Sequence, residues 1–226
     1  MAARAPTLLL LLFFAYSFRP STSIPAKYDG FVYKEAESLK DSILIEAFFD
    51  PLCPDSRDSW PPLKKLVEKF SPRVSLIVHP FPLPYHNNAF LSCRALHIAN
   101  MLNASSTYPL LELFFKYQEK FYNAPTINMS RGTITEKMTK LAVMAVGNSL
   151  LTEFQSGFQD SKTDLAARVS FKYGCSRGVS GAPFFFVNGF LLPDGGSPLD
   201  YSTWTDIIKP LLEKNEERME ELFLSL

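Results

Sequence analysis

A cysteine stands where a run of large apolar residues breaks off: Ala47-Phe48-Phe49-Asp50-Pro51-Leu52-Cys53-Pro54-Asp55-Ser56. Thiolate, not thiol, carries out exchange chemistry. At the start of a helix, unpaired backbone N–H groups and the positive end of the dipole lower a thiol pKa from ~8.5 toward roughly 3.5–7.5. Pro54 suits the first helical position, because no donor is wasted there. The Ser56 hydroxyl and Arg57 would stabilise a Cys53 thiolate, while Asp55 would oppose it. Residues 53 and 56 share one helical face, so Ser56 occupies the place from which a second thiol would close a disulfide. A hydroxyl cannot do so. The pattern predicts a monothiol site, in which Cys53 captures a disulfide or is capped by glutathione and an outside thiol must release it.

The other candidates are weighed by the same chemistry. Cys93 lies at helical spacing from Phe90 and Leu96 and reads as an inert core thiol. Cys175 ends a helical segment eight residues before Pro183. It reads as a resolving or structural partner of Cys53, or as an unpaired thiol; three cysteines allow three pairings. His79, His86 and His97 lack the spacing of a metal site, so neither a metal nor a resident cofactor is expected, glutathione entering only as a co-substrate. His86 reads as the start of a helix that Asn87 or Asn88 can cap. No phosphate-cradling glycine loop and no Ser/His/Asp nucleophile signature is present.

Several elements must position these groups. Ser42–Asp50 reads as a buried strand with a hard stop at Asp50-Pro51. A helix from about Pro54 to Phe70 follows, which Pro61-Pro62 should kink or restart. Arg73–Leu83 reads as a second strand, and strand–helix–strand at this spacing makes a parallel pair. Between His86 and Tyr173 the apolar residues recur at helical steps. Phe184–Val187 and Phe190-Leu191 then flank Asn188-Gly189, a strong signal for a tight hairpin. Tyr201–Lys214 closes the pattern as a helix, with the remainder a solvated extension or a frayed tail. Pro183 at the start of a strand removes a ladder donor and marks a fixed turn, for which a cis bond is one solution. Together these make a four-stranded sheet split by a helical insertion.

The 226 residues include 20 Phe, enough for a substantial core, and Lys+Arg and Asp+Glu are balanced at 23 each. With no net charge and no basic tract, nucleic acid is not an expected partner. Arg4, the apolar block Leu8–Phe14 and the small residues Ser21-Thr22-Ser23 read as a secretory leader cleaved after Ser23, too short to span a bilayer. No later stretch reads as a membrane span. The sequons at Asn103 and Asn128 fit that route as glycosylation sites.

The strand-Cys-Pro-x-x helix start, the helical insertion and "GVSGAPFFFVNG" (Gly178–Gly189) resemble the DsbA-type branch of the thioredoxin superfamily. "FFDPLCPDSRDSWPPLK" also looks like the DsbA-like thioredoxin-fold proteins of plants. The resemblance implies an α/β thioredoxin-like fold: a first half over 24–85, an insertion over 86–173, a second half over 174–214 and a tail over 215–226. It implies that Cys53 is the nucleophile, Pro183 the cis-proline, and Ala182, with Pro54, part of the surface that meets an extended polypeptide. Ser56 departs from the family's Cys-x-x-Cys, and Ala182 stands where Thr or Val is common. Three functions follow as expectations: monothiol exchange with polypeptide thiols, disulfides or glutathione; a non-catalytic binding or chaperone-like domain for extended polypeptide; or a glutathione-dependent transferase or isomerase of the kappa type. Kappa-type enzymes carry serine at the first motif position, so Cys53 counts against the last.

Overall fold

A computed structural model describes residues 29–33, 42–193 and 196–224, without the side chains of 216 and 218–224. The expected leader at 1–23 lies outside the described residues. Strand β1 (Phe31–Tyr33) runs antiparallel along β3 (Val74–Pro80), and β2 (Ile43–Phe49) lies parallel to β3 on its other side. β4 (Phe184–Val187) pairs antiparallel with β2, and β5 (Phe190–Leu191) closes the order β1-β3-β2-β4-β5. The sheet therefore has five strands rather than the expected four. The additional one, Phe-Val-Tyr, is too short to show a period. It is held because Phe31 and Tyr33 turn inward while Val32 faces out.

Helix α1 (Pro54–Phe70) links β2 to β3 and buries Trp60, Leu63, Leu66, Val67 and Phe70 against the sheet. It runs unbroken through Pro61 and Pro62, without the restart expected at that pair. Both prolines lie on the solvent side, so the carbonyls deprived of their N–H partners at Arg57 and Asp58 can be met by water. Between β3 and β4 come α2 (Ala89–Leu102), α3 (Thr107–Tyr117), α4 (Asn123–Thr126), α5 (Arg131–Val146), α6 (Leu151–Gly157) and α7 (Ser161–Ser176). These bury Leu96, Leu110, Phe114, Met138 and Phe154 in a core continuous with that of the sheet. Helix α8 (Tyr201–Leu224) continues past Lys214, the extension rather than the frayed tail of the two expectations, and packs Trp204 edge-on to Phe185, with ring centroids 5.0 Å apart. The β4–β5 turn has Asn188 at φ 49° and Gly189 at φ 82°, the two left-handed residues of a type I′ hairpin.

Candidate active site

Two apolar clusters meet β2. The smaller one gathers Phe48, Cys53, Phe81, Leu83, Val179, Ala182, Phe184 and Phe186. Cys53 is the N-cap residue of α1, with extended backbone (φ −87°, ψ 125°), and only 4% of it is exposed. Its thiol donates to the Ala182 carbonyl, 3.3 Å away, and the Ala182–Pro183 bond is cis. Cys53, Ser56, Ala182 and Pro183, separated by some 130 positions, are thus brought together, with Pro54 at the mouth of the helix.

The thiol is not primed in the way the motif suggests. Burial pushes the Cys53 pKa up, and Asp50 adds to that. The backbone N–H groups of Ser56 and Asp55 and the Ser56 hydroxyl pull it down but do not win. Helix-start stabilisation is real here, and desolvation exceeds it. Arg57 takes no part, because its Nε donates to Asp58 at 2.8 Å in the solvent. Ser56 is fully buried, and its hydroxyl oxygen accepts from the Asp50 N–H at 3.3 Å.

Asp50, read from sequence only as a strand stop, is the polar hub of the site. It is completely buried; Oδ1 accepts the Leu52 N–H at 2.8 Å, and Oδ2 accepts the Leu83 N–H at 3.1 Å. Oδ2 also lies 2.8 Å from Nδ1 of His86, whose side chain is 22% exposed. His86 precedes α2 instead of starting it. Asn88 occupies the N-cap position, but its side-chain amide donates to the Phe121 carbonyl and the Thr126 hydroxyl, both at 2.9 Å, so it does not cap α2. Gln118, which sequence reasoning passed over, reaches across from the insertion and donates to the carbonyls of Pro51 (3.3 Å) and Cys53 (3.2 Å). Only a residue pattern specific to this loop could have signalled it.

Behind the thiol, Phe48 stacks on His79 with centroids 4.5 Å apart. Nδ1 of His79 contacts Asp29 at 2.9 Å, and its Nε2 makes a longer, poorly aligned contact of 3.4 Å with Glu46. Glu46 also accepts from Tyr173 (2.9 Å) and from both terminal nitrogens of Arg177 (3.2 Å each). Burial alone would raise the Glu46 pKa, but donors from His79, Tyr173 and Arg177 outweigh it and hold the carboxyl at about 2. Helix α7 approaches this wall closely at Gly174, where a Cβ would lie 2.6 Å from the Phe81 ring.

The remaining cysteines form no disulfide with Cys53. Cys93 is buried, Cys175 is exposed near the end of α7, and all three described cysteines are free. Asn103 and Asn128 are exposed. Among the described residues, no group of His, Cys, Asp and Glu is arranged to hold a metal, and no helix is long and apolar enough to cross a membrane.

No family model and no curated protein matches the chain. Solved structures do. A protein of Pseudomonas syringae, provisionally assigned as a protein-disulfide isomerase, aligns over 80% of this chain and 98% of its own at 20% identity and TM-score 0.67. ScsC of Proteus mirabilis aligns over 82% and 72% at 18% identity and TM-score 0.59. A periplasmic thioredoxin-like protein of Salmonella enterica serovar Typhimurium aligns over 80% and 88% at 19% identity and TM-score 0.57. The chain has an α/β thioredoxin-like fold with a helical insertion, of the DsbA type.

Proposed function

We propose that this is a thiol–disulfide exchange protein of the secretory route that works through Cys53 as a monothiol. One observation carries the reading: the sulfur lies 3.3 Å from the Ala182 carbonyl, so a polypeptide extended along that backbone passes beside it. Cys53 attacks a substrate disulfide, one substrate sulfur leaves as thiolate, and a mixed disulfide remains. Ser56 cannot resolve it, and a thiol of raised pKa is a slow leaving group, so the adduct persists until an outside thiol such as glutathione arrives. The secretory part rests on the leader-like N-terminus and the sequons, and N-terminal sequencing of secreted material should begin near Ile24.

The test is turnover of a disulfide peptide with and without glutathione. Wild type should accumulate the mixed disulfide and turn over only when thiol is supplied. Cys53→Ser should abolish capture. Ser56→Cys places a second thiol one helical turn away and should form an internal bridge that removes the thiol dependence. Thiol-independent turnover by wild type that disappears in Cys175→Ser would assign resolution to Cys175. The buried, protonated Cys53 favours a second reading, a binding domain for extended polypeptide. That reading takes over if Cys53 captures no disulfide while the peptide still binds.

A further inference from the structure

We propose that His86, held by Asp50, is the general base for the outside thiol, and that the cation-rimmed cavity beside it selects a small anionic thiol of the glutathione class. This rests on the exchange reading above and adds the step that reading leaves without a catalyst. A monothiol site needs an incoming thiolate, yet a free thiol of pKa ~8.5 is mostly protonated at neutral pH. His86 is placed to take that proton. Its Nδ1 is fixed on the fully buried Asp50 carboxylate at 2.8 Å, which leaves Nε2 as the free nitrogen.

The imidazole is shared by two cavities. One, of about 300 Å³, includes Leu52 and Pro54, the residues on either side of Cys53. The other, of about 580 Å³, has an apolar floor of Leu83, Phe90 and Phe171 and carries Arg168 and Lys172 from α7, with no acidic side chain in its lining. Both volumes are in the range of small-ligand sites. Arg168 is already paired with Asp164 at 2.6 Å, whereas Lys172 is exposed without an ion-pair partner among the described residues. The Tyr85 ring lies edge-on to the imidazole with centroids 4.8 Å apart, and Tyr122 lines the smaller cavity with it. An apolar pocket with an unmatched cation and a base suits a thiol that carries carboxylates.

The step balances without a redox partner. His86 Nε2 takes the proton of the incoming thiol, and the resulting thiolate attacks the substrate sulfur, the accessible one because Cys53 is 4% exposed. The new disulfide joins the outside thiol to the substrate. The old one breaks, Cys53 leaves as thiolate facing the Ser56 hydroxyl, and the proton held by His86 restores its thiol.

The experiment separates the two half-reactions. Protein loaded at Cys53 with a peptide disulfide is mixed with glutathione or with neutral mercaptoethanol, and peptide release is followed from pH 6 to 10. His86→Asn keeps a donor near the Nδ1 position for Asp50 but has no base. Loaded to completion with the same peptide, it should release that peptide to glutathione at least about tenfold more slowly at pH 7. The deficit should close above about pH 9, where the free thiol is already ionised. Lys172→Ala should slow glutathione severalfold and leave mercaptoethanol unchanged. Release by His86→Asn at the wild-type rate, or a deficit that persists at high pH, would overturn the proposal. Should that variant not fold, the wild-type profile decides. A release rate rising tenfold per pH unit up to about 8.5 follows free thiolate alone and rejects the base, whereas a plateau below that supports it. Failure of wild type to load any peptide rejects the exchange reading itself and this inference with it.

Discussion

Two histidine–carboxylate pairs flank the same strand end, and they differ in access. Asp29–His79–Glu46 is sealed, with 1% of the His79 side chain exposed, a stacked Phe48 over the ring and Arg177 closing the far side. Asp50–His86 uses the same groups at a similar distance, yet its imidazole is 22% exposed and opens on two cavities. In the first pair, charges are matched by neighbours and bind elements together: the segment leading into β1 through Asp29, β2 through Glu46, β3 through His79 and α7 through Tyr173. In the second, the carboxylate is buried and satisfied by backbone donors, and the imidazole keeps one nitrogen free. A sealed pair fastens the fold, and an open one can move a proton.

The comparison can be broken most severely at Glu46. Glu46→Ala takes away the acceptor shared by His79, Arg177 and the Tyr173 hydroxyl, leaving the last two only their mutual bond of 2.7 Å and the Gly189 carbonyl, and urea unfolding should show a loss of about 3–5 kcal/mol. If the loss is below about 1 kcal/mol, the sealed pair is not a fastener.

Acid titration sharpens the contrast next. His97, buried against Ser170, is held neutral by desolvation, with its pKa lowered to about 4 against 6.5 for the free side chain. The unfolded chain therefore binds this proton first as pH falls, and stability should decline between about pH 6.5 and 4 by up to about 3 kcal/mol. Glu46 adds a second decline between 4.5 and about 2. His79 has the opposite sign: burial lowers its pKa, the flanking Asp29 and Glu46 raise it further, and the net is upward. Its contribution is complete below pH 6.5 and is lost as pH rises through the folded value. Stability should thus peak near pH 6.5, and His97→Gln should remove the first acid decline. A flat profile from 4 to 6.5 in wild type would contradict the assignment.

A smaller effect is expected at the wall between the pairs. Gly174→Ala forces a Cβ against Phe81 and Phe48 and should cost about 1–3 kcal/mol by calorimetry, with faster alkylation of Cys53 as α7 is displaced. The smallest belongs to the open pair: His86→Asn should change stability by less than about 1 kcal/mol, since Asp50 retains the Leu52 and Leu83 N–H groups.

Periodic features were legible in the sequence. The Ile43–Phe49 and Val74–Pro80 strands, α1 and the Asn188-Gly189 hairpin are each encoded by local pattern, and the order β3-β2-β4-β5 follows once β4 returns to β2. β1 was not, because three residues display no period, and its pairing is a tertiary event. At the site, Cys53, Ser56 and Pro183 announce themselves by motif. Asp50 and Gln118 do not, since the partners that give them their place in the site are backbone groups and a histidine brought in by packing from 33 to 67 positions away. The direction of the Cys53 pKa was misjudged for a related reason. Helix position is local information, whereas the desolvation that overrides it comes from Phe81, Leu83, Ala182 and Phe184 folding over the sulfur.

Gln118 bears on how this chain could be rebuilt. Its single amide spans the seam between the inserted helices and the loop that presents the sulfur, holding two carbonyls of that loop at once, with its own oxygen accepting from Tyr122 at 2.8 Å. The insertion is therefore not a removable accessory. A chimera that exchanged it for a shorter linker, or for the corresponding segment of a distant relative, would take away a support of the Pro51–Cys53 backbone. A graft that carried Gln118 and Tyr122 with it would preserve that support, making those two side chains the minimum cargo for transplanting the thiol loop onto another scaffold.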